Sequence, residues 1–188
     1  MIQETPVQKE QERLDEKLYA LLFGVRRSIR YHNRRRMFFD RFNLITKALS
    51  VVFGSATIYT VLSQTSPKAT IGAAAIVTLF SALDLVVGTV RMARLHDDLA
   101  RRFIALEKEI VQTIHPTEEN LARFTAQRLD IEADEPPVYR VLDALCHNEL
   151  ARAEGHPQEE FAKIRLYQRW FAQFFDIGEH RIHKYGQS

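Results

Sequence analysis

Two apolar segments of bilayer length, joined by a short connection, constrain this chain more than any other feature of its sequence. Residues 44–64 read LITKALSVVFGSATIYTVLSQ, and residues 70–90 read TIGAAAIVTLFSALDLVVGTV. As a helix, each segment would be about 31 Å long, which matches the roughly 30 Å hydrocarbon core of a membrane. Residues 65–69 contain Pro67 and predict a turn. The sequence therefore predicts a transmembrane helical hairpin, with spans at 44–64 and 70–90.

The placement of charge supports this interpretation. Charged residues make up 27% of the chain, yet residues 44–90 contain only Lys47, Lys68 and Asp84. The alternative is a buried helical hairpin in a soluble protein, because Ser and Thr are frequent in both segments. Two adjacent segments of bilayer length with charged flanks are rare in a soluble domain of this size, which favours the membrane.

Arginine residues flank the hairpin and predict its orientation. The connection at 65–69 carries only Lys68, so the positive-inside rule places it outside the cytoplasm and both termini inside. The net charge of +2 argues neither for nor against nucleic acid. Because the arginines lie directly beside a span, we expect them to contact anionic lipid and not nucleic acid. The arginines of this prediction are Arg26, Arg27, Arg30, Arg34, Arg35, Arg36, Arg41, Arg91 and Arg94.

Each predicted span carries one stripe of small and polar residues and an opposite face of large apolar ones. The stripes follow a helical seam and predict close packing or a pore lining: Lys47, Ser50, Gly54 and Thr57, then Val77, Ser81, Asp84 and Gly88. Asp84 either pairs with Lys47, within one hairpin or across a subunit boundary, or lines a pore. Alternatively, Lys47 extends to the headgroups and Asp84 bonds Ser81 or another hydroxyl. One hairpin cannot enclose water, so we expect a homo-oligomer.

The remaining residues predict helices on the cytoplasmic side, so the whole chain is expected to be all-α. Residues 1–43 predict a basic amphipathic helix that continues into the first span. Residues 91–188 predict further helices, the first of which continues the second span as far as residue 114. Apolar residues recur at helical spacing in both flanks: Leu14, Leu18, Leu21, Leu22, Val25 and Ile29, then Leu95, Leu99, Phe103, Leu106, Ile110 and Ile114.

Helix-start and helix-stop signals divide the C-terminal region further. Residues 115–119 (HPTEE) and 156–160 (HPQEE) both predict helix starts, because acidic residues suit the N-terminal end of a helix. Residues 138–154 predict a helix that stops before Gly155. Residues 161–175 predict a final helix with an aromatic face, which packs on neighbouring helices or lies on the membrane surface.

No catalytic motif is present, and we expect neither enzymatic activity nor a cofactor. Cys146 and His147 are adjacent in sequence, so on a helix they point to different sides. Asp176, Glu179, His180 and His183 would share a helical face, but Gly178 interrupts that helix, so we do not expect a metal site. The single cysteine excludes an internal disulfide and is typical of a reducing compartment.

The layout resembles that of one bacterial family. The similar parts are residues 18–22 (LYALL), the basic and aromatic lead-in at 30–40 (RYHNRRRMFFD), the closely spaced spans and the helix at 91–114. Residues 134–139 (DEPPVY) and 146–149 (CHNE) resemble the C-terminal portion of one branch. These features are similar to those of the SLATT proteins, the SMODS and SLOG-associating two-transmembrane effectors.

The resemblance implies a pore-forming effector of an anti-phage or conflict system. Such a protein would oligomerise in the bacterial inner (plasma) membrane and permeabilise or depolarise it. The resemblance also implies a trigger in trans, either a nucleotide second messenger or a sensor protein. The alternative function is a non-conducting, membrane-anchored helical scaffold that recruits cytoplasmic proteins, with Asp84 as a structural polar contact.

Overall fold

The computed structural model describes residues 6–63 and 67–178, and within these ranges the chain forms helices without any strand. This confirms the predicted all-α class. Six α-helices follow one another in the described residues, with one short 3₁₀ turn at Gln158–Glu160. The helices are α1 (Pro6–Ser63), α2 (Pro67–Val87), α3 (Thr89–Gln112), α4 (Glu118–Glu132), α5 (Arg140–Ala153) and α6 (Leu166–Phe171).

Helix α1 joins the predicted basic helix to the first apolar segment without a break. It contains 58 residues, and no proline follows its first position. Proline is well tolerated at the first position of a helix, where its missing N–H group has no partner to lose. The prediction that the N-terminal helix continues into the first span is therefore confirmed.

The second apolar segment differs from the prediction at both ends. Helix α2 already begins at Pro67, so residues 67–69 of the expected turn at 65–69 are helical, while residues 65 and 66 lie outside the described residues. At the other end, α2 stops at Val87 and α3 starts at Thr89. Gly88 between them has φ +61°, a left-handed conformation that glycine adopts without a steric cost. The expected uninterrupted helix through residue 114 is therefore wrong.

The chain divides into two compact units, which we describe separately. The bundle unit comprises the described residues of Met1–Asn33 and Asp98–Ser188, and the hairpin unit comprises Arg34–Asp97. Most of the expected apolar positions in the bundle unit are buried, although Ile114, just after α3, is 84% exposed. The buried core residues include Leu14, Leu21, Val25, Leu99, Phe103, Leu106, Ile110, Phe124, Val141, Leu142 and Leu150.

In the hairpin unit, the residues of α1 run antiparallel to α2 and the first turns of α3. The guanidinium group of Arg36 bonds the carboxylate of Asp97. One turn further along α1, the ring of Phe39 stacks on that of His96, with centroids 5.7 Å apart. The later residue of α1 thus contacts the earlier residue of α3, which shows that these parts of the two helices are antiparallel.

The two HPxEE-like segments of the C-terminal region fold differently. Thr117 caps α4, since its hydroxyl accepts a bond from the Asn120 N–H while the Asn120 side chain accepts one from the Thr117 N–H. The predicted helix start at 115–119 is therefore confirmed. Residues 156–160 instead form only a 3₁₀ turn, so the second predicted start is wrong.

The aromatic stretch at 161–175 is not one helix either, because α6 spans only Leu166–Phe171. Helix α5 is close to its predicted limits, and Gly155 follows it with φ +79°. The carboxylate of Asp176 accepts bonds from the N–H groups of Arg140 (2.8 Å) and Val141 (2.9 Å) at the start of α5. This side chain satisfies donors that no helical carbonyl can reach and ties the segment after α6 to α5.

Candidate functional site: a polar seam in the hairpin unit

The two faces of the apolar helices differ in exposure within the hairpin unit. The large apolar side chains are well exposed to the surroundings, with Leu85 and Val86 both at 83%. The predicted stripe is largely shielded, because six of its eight residues are half-buried: Ser50, Gly54, Thr57, Val77, Asp84 and Gly88. The stripe, which we call the polar seam, is therefore the less accessible side of the hairpin. Lys47 and Ser81 are exposed exceptions.

The described residues contain two helical stretches that are long and apolar enough to cross a membrane. They are Gln8–Tyr59 and Thr70–Gln112. Within their most apolar windows, 6% of the residues in the first and none in the second are buried. A hairpin in the core of a soluble protein would be mostly buried, so the exposure does not fit that alternative. An exposed apolar surface of this extent is expected to contact lipid or another protein and not water.

Asp84 is held by a residue beyond the break in the helix. The hydroxyl of Thr89 donates a hydrogen bond to the Asp84 carboxylate, and Thr89 is only 1% exposed. The Gly88 N–H donates to the backbone carbonyl of Asp84 at 2.8 Å, and the Met92 N–H donates to the Gly88 carbonyl at 3.0 Å. The left-handed Gly88 thus turns the chain while the backbone bonds on either side persist.

Lys47 is not the partner of Asp84 within one chain. Both residues belong to the part of the hairpin unit that the structure describes, and no ion pair joins them there. Lys47 is exposed, whereas Asp84 bonds the hydroxyl of Thr89. The predicted pair is therefore wrong for a single chain, and the alternative of a nearby hydroxyl is confirmed. A pair between two copies stays a prediction.

Several hydroxyl groups of the hairpin unit donate hydrogen bonds to carbonyl groups of their own helices. Ser50 donates to the carbonyl of Thr46 at 2.9 Å, and Thr57 donates to that of Phe53 at 2.8 Å. Thr78, outside the predicted stripe, donates to the carbonyl of Ala74 at 2.9 Å. Bonds of this kind satisfy a hydroxyl without water. Ser50 and Thr57 therefore impose little cost on a helix surrounded by hydrocarbon.

Gly54 leaves space in the seam. A Cβ atom added at this position would meet nothing within 4 Å, apart from the glycine's immediate surroundings in its own helix. Small residues at such positions allow two helix backbones to approach closely in a membrane. A single chain therefore leaves room at Gly54 that another helix can occupy.

The first arginines of the flank belong to the bundle unit and are engaged there. The Arg26 guanidinium pairs with Glu107 at 2.7 Å and with Glu154 at 3.0 Å, and the bond to Glu107 raises the pKa of Arg26. Arg27 lies 3.1 Å from the carboxylate of Asp143. Arg26 and Arg27 are therefore engaged in ion pairs within the bundle unit, and their contact with lipid stays a prediction. Arg30 is half-buried and bonds the carbonyl of Arg26 at 3.3 Å.

In the hairpin unit, some arginines are internal and others face outward. Arg35 is buried, with its guanidinium carbon 4.6 Å from the centre of the Phe39 ring, and Arg36 bonds Asp97. Arg34 is half-buried. The exposed arginines of the prediction are Arg41, Arg91 and Arg94. These three remain available for headgroups or solvent.

Several contacts were missed because their partners are distant in sequence or follow a break. Thr89 lies five positions after Asp84, whereas neighbours on a helix surface are three or four positions apart. The only sequence signal of a bend between them is Gly88. Arg36 and Asp97 are 61 positions apart. In the described residues, no group of three His, Cys, Asp and Glu side chains is placed to hold a metal. Glu179, His180 and His183 lie outside those residues.

Comparison of this chain with protein families, curated proteins and solved structures found no match. Cys146, whose pairing with His147 we considered, is buried in the bundle unit, while the His147 ring packs edge-on against Phe23 with centroids 5.2 Å apart. That environment is typical of a structural cysteine.

Proposed function

We propose that this chain is a pore-forming effector of the bacterial inner membrane that acts in an anti-phage or conflict system. Its hairpins assemble into a homo-oligomer with the polar seams turned inward and thereby permeabilise or depolarise the membrane. One observation carries the proposal: Asp84, an ionisable residue, lies half-buried in a helix whose opposite face is apolar and exposed.

The hydrogen bonding of Asp84 supports assembly. An acidic side chain in the centre of a membrane helix costs about 2.5–3.5 kcal/mol on insertion scales. An ionised carboxylate has roughly four acceptor sites, but among the described side chains only Thr89 donates to Asp84. The remaining acceptor sites need water or donors from other copies. An oligomer that encloses a water-filled path provides both.

The apolar face and the hydroxyl groups agree with this arrangement. Leu85 and Val86 would contact lipid, whereas Ser50 and Thr57 have their hydroxyl groups bonded to their own helix and tolerate either lipid or a lumen. Gly54 leaves space for another backbone. Each feature suits a hairpin that packs with copies of itself along one side and with lipid along the other.

The resemblance to the SLATT proteins supports a trigger in trans, either a nucleotide second messenger or a sensor protein. In the bundle unit, the ion pair of Arg26 and Glu107 links α1 to α3. Both helices also contribute residues to the hairpin unit. A signal that rearranges the bundle unit would therefore act on α1, which carries half of the seam, and on α3, which begins directly after the last seam residue, Gly88.

Expression in bacteria loaded with a potential-sensitive dye tests the proposal. We expect the wild-type chain, expressed together with its trigger, to collapse the membrane potential. Asp84→Asn should abolish most of this effect. Asp40→Asn is the matched control, because Asp40 is exposed and precedes the apolar segment, and it should depolarise as the wild type does. An unchanged potential at high wild-type expression with the trigger present would contradict the proposal.

A non-conducting scaffold is the second candidate, and the Asp84–Thr89 bond favours it because it gives Asp84 a structural role within one chain. If the chain is a scaffold, Asp84→Asn should change assembly, and neither the wild type nor the variant should conduct ions. Loss of flux in Asp84→Asn with a persistent oligomer would exclude the scaffold. Extraction with alkaline carbonate tests the shared assumption, since a chain without membrane spans would be released from the pellet.

A further inference from the structure

The segment around α6 exposes aromatic and basic side chains together. We call this surface the α6 patch and define it by Arg165, Leu166, Arg169, Trp170, Phe174 and Phe175. Trp170 is 80% exposed, Leu166 73% and Phe175 61%. Single exposed apolar residues are common, but a cluster of this size marks a site of interaction.

The bundle unit holds the α6 patch in place from behind. Leu166, Arg169 and Trp170 follow the three- and four-residue spacing of one helical face. Gln168 and Ala172, on the other side, are 3% and 1% exposed. The Gln168 amide donates to the carbonyl oxygens of Ile177 (3.1 Å) and Gly178 (3.2 Å). The exposed rings therefore belong to a fixed surface.

The charge of this segment has one sign. Residues 161–175 contain Lys163, Arg165 and Arg169 and no acidic residue. Asp176, the next acidic residue, already accepts the two N–H groups at the start of α5. The α6 patch therefore combines aromatic rings with positive charge alone.

A cavity of about 440 Å³ borders the patch at Arg165. Arg152, Lys163 and Arg165 contribute its positive charge, and no acidic residue is found among the described side chains that line it. Phe161 lies beside Arg152, whose guanidinium carbon is 5.5 Å from the ring centre. The cavity thus offers several hydrogen-bond donors to a phosphate group next to an apolar surface.

We propose that the α6 patch binds the headgroup region of anionic phospholipids, with lipid phosphate at the cavity and the rings at the level of the acyl-chain boundary. Trp and Tyr side chains favour this depth, and anionic lipid attracts clustered Lys and Arg. A second copy of the patch would bring like charges together. This inference rests on the proposed membrane location, because a chain tethered to a bilayer meets lipid at a high effective concentration.

The attachment of this segment within the bundle unit agrees with a lipid contact. Asp176 fixes it to the start of α5, where the Tyr139 N–H donates to the hydroxyl of Tyr31 at 3.0 Å. Tyr31 precedes the first apolar segment, at residue 44, by only 13 positions of sequence. The segment is therefore held to α1, through the start of α5, at Tyr31.

Trp170 reports on this surface directly, because it is the only tryptophan in the chain. The full-length protein is reconstituted into vesicles of zwitterionic lipid or of zwitterionic and anionic lipid mixed, each with a fraction brominated near the headgroup end of the acyl chain. In the anionic vesicles we expect a blue shift of the Trp170 emission and strong quenching by bromine. In zwitterionic vesicles both effects should be clearly smaller.

Charge variants provide the control. The double change Arg165→Gln and Arg169→Gln should abolish the difference between the two vesicle types. Arg123→Gln, at an exposed arginine on α4, should preserve it. Water-like, unquenched emission in both vesicle types would overturn the inference. Quenching by lipid that appears only when the protein is diluted in the membrane would also overturn it, since a second copy would then cover the patch.

Flotation of the same vesicles separates this inference from the proposed function. A chain that floats with the vesicles while Trp170 remains water-exposed overturns the lipid contact of the α6 patch and leaves the membrane location intact. A chain that does not float overturns both. Flotation with quenched, charge-dependent Trp170 emission supports both.

Discussion

Thr89 donates its hydroxyl hydrogen bond to the carboxylate of Asp84 across the break in the helix at Gly88. In an uninterrupted helix, residues five positions apart do not share a face, so the bond depends on the left-handed glycine between them. The second apolar segment therefore ends in a bend that holds an acidic side chain in place. The same bend separates α2 from α3.

A double-mutant cycle measures this bond. Thr89→Val removes the hydroxyl from a buried position, and we expect a loss of about 1–3 kcal/mol in the free energy of unfolding because the carboxylate loses its donor. Once Asp84→Asn is present, the same change should cost less, with a coupling of about 0.5–3 kcal/mol between the two sites. Thermal unfolding of the detergent-solubilised protein, followed by circular dichroism, provides the measurement.

Thr89→Ser is the control for this cycle, because it keeps the hydroxyl and should retain most of the stability. Strictly additive effects of Thr89→Val and Asp84→Asn would show that the two side chains do not interact. Additivity would also remove the argument that Asp84 has a single donor within the chain.

Gly88 should resist substitution for a conformational reason. Its φ of +61° is disfavoured for any residue with a Cβ atom, at a cost of about 1–2 kcal/mol. The added atom itself would find only Arg91 Cβ, at 4.0 Å, so crowding contributes little. We therefore expect Gly88→Ala to lower the unfolding temperature or to straighten the helix. Either result should reduce depolarisation in the dye assay.

Gly72→Ala is the matched change, since Gly72 lies inside α2 and an added Cβ would meet nothing within 4 Å. Alanine is favoured over glycine in a helix interior, so this variant should be slightly more stable than the wild type. Equal behaviour of the two alanine variants would contradict the role assigned to the bend at Gly88.

Arg26 should stabilise the bundle unit through its two carboxylate partners. Arg26→Gln removes the contacts with Glu107 and Glu154 while those side chains remain only 29% and 18% exposed. For pairs at this intermediate depth, we expect a loss of about 1–2 kcal/mol in unfolding free energy. Arg13→Gln breaks two comparable pairs at about half exposure and should have a much smaller effect. Similar losses in both variants would contradict this ranking.

The sequence predicted what depends on period and length. Apolar spacing identified the buried faces around Val25 and Phe103, and the length of residues 44–64 indicated a helix suited to a membrane. These features follow from one helix considered alone. The break at Gly88 could not be predicted in this way. A lone glycine inside a helical pattern is usually tolerated, and the tertiary structure decides its φ.

Pairings between residues distant in sequence also depend on the tertiary structure, so the sequence alone did not predict them. Arg26 and Arg27 precede a span, and their sequence position is typical of topology signals, yet their partners Glu154 and Asp143 lie more than 100 positions away. For Asp84, the sequence left Lys47 and a nearby hydroxyl open as partners. The structure provides the hydroxyl of Thr89, which helical spacing did not identify because it lies beyond the break at Gly88.

Asp143 gives the bundle unit a pH dependence. Burial raises the pKa of its carboxyl above the ordinary value of 3.8, although the nearby Arg27 guanidinium acts in the opposite direction. The folded state therefore binds this proton more tightly than the unfolded state does. The resulting stabilisation is complete below the ordinary pKa and is lost as the pH rises through the raised value.

Asp143→Asn should remove this part of the pH dependence. Below pH 3.8 the protonated carboxyl forms no ion pair with Arg27, so the variant should be about as stable as the wild type there. As the pH rises through the raised pKa, the wild type loses stability and the variant does not, so the variant should become the more stable of the two. Arg27→Gln leaves the carboxyl buried without its cation, which raises its pKa further and moves the wild-type decline to higher pH. Unfolding followed by circular dichroism across this range gives both differences. A deficit of Asp143→Asn that grows with pH would reverse the sign and show that the charged pair with Arg27 outweighs burial.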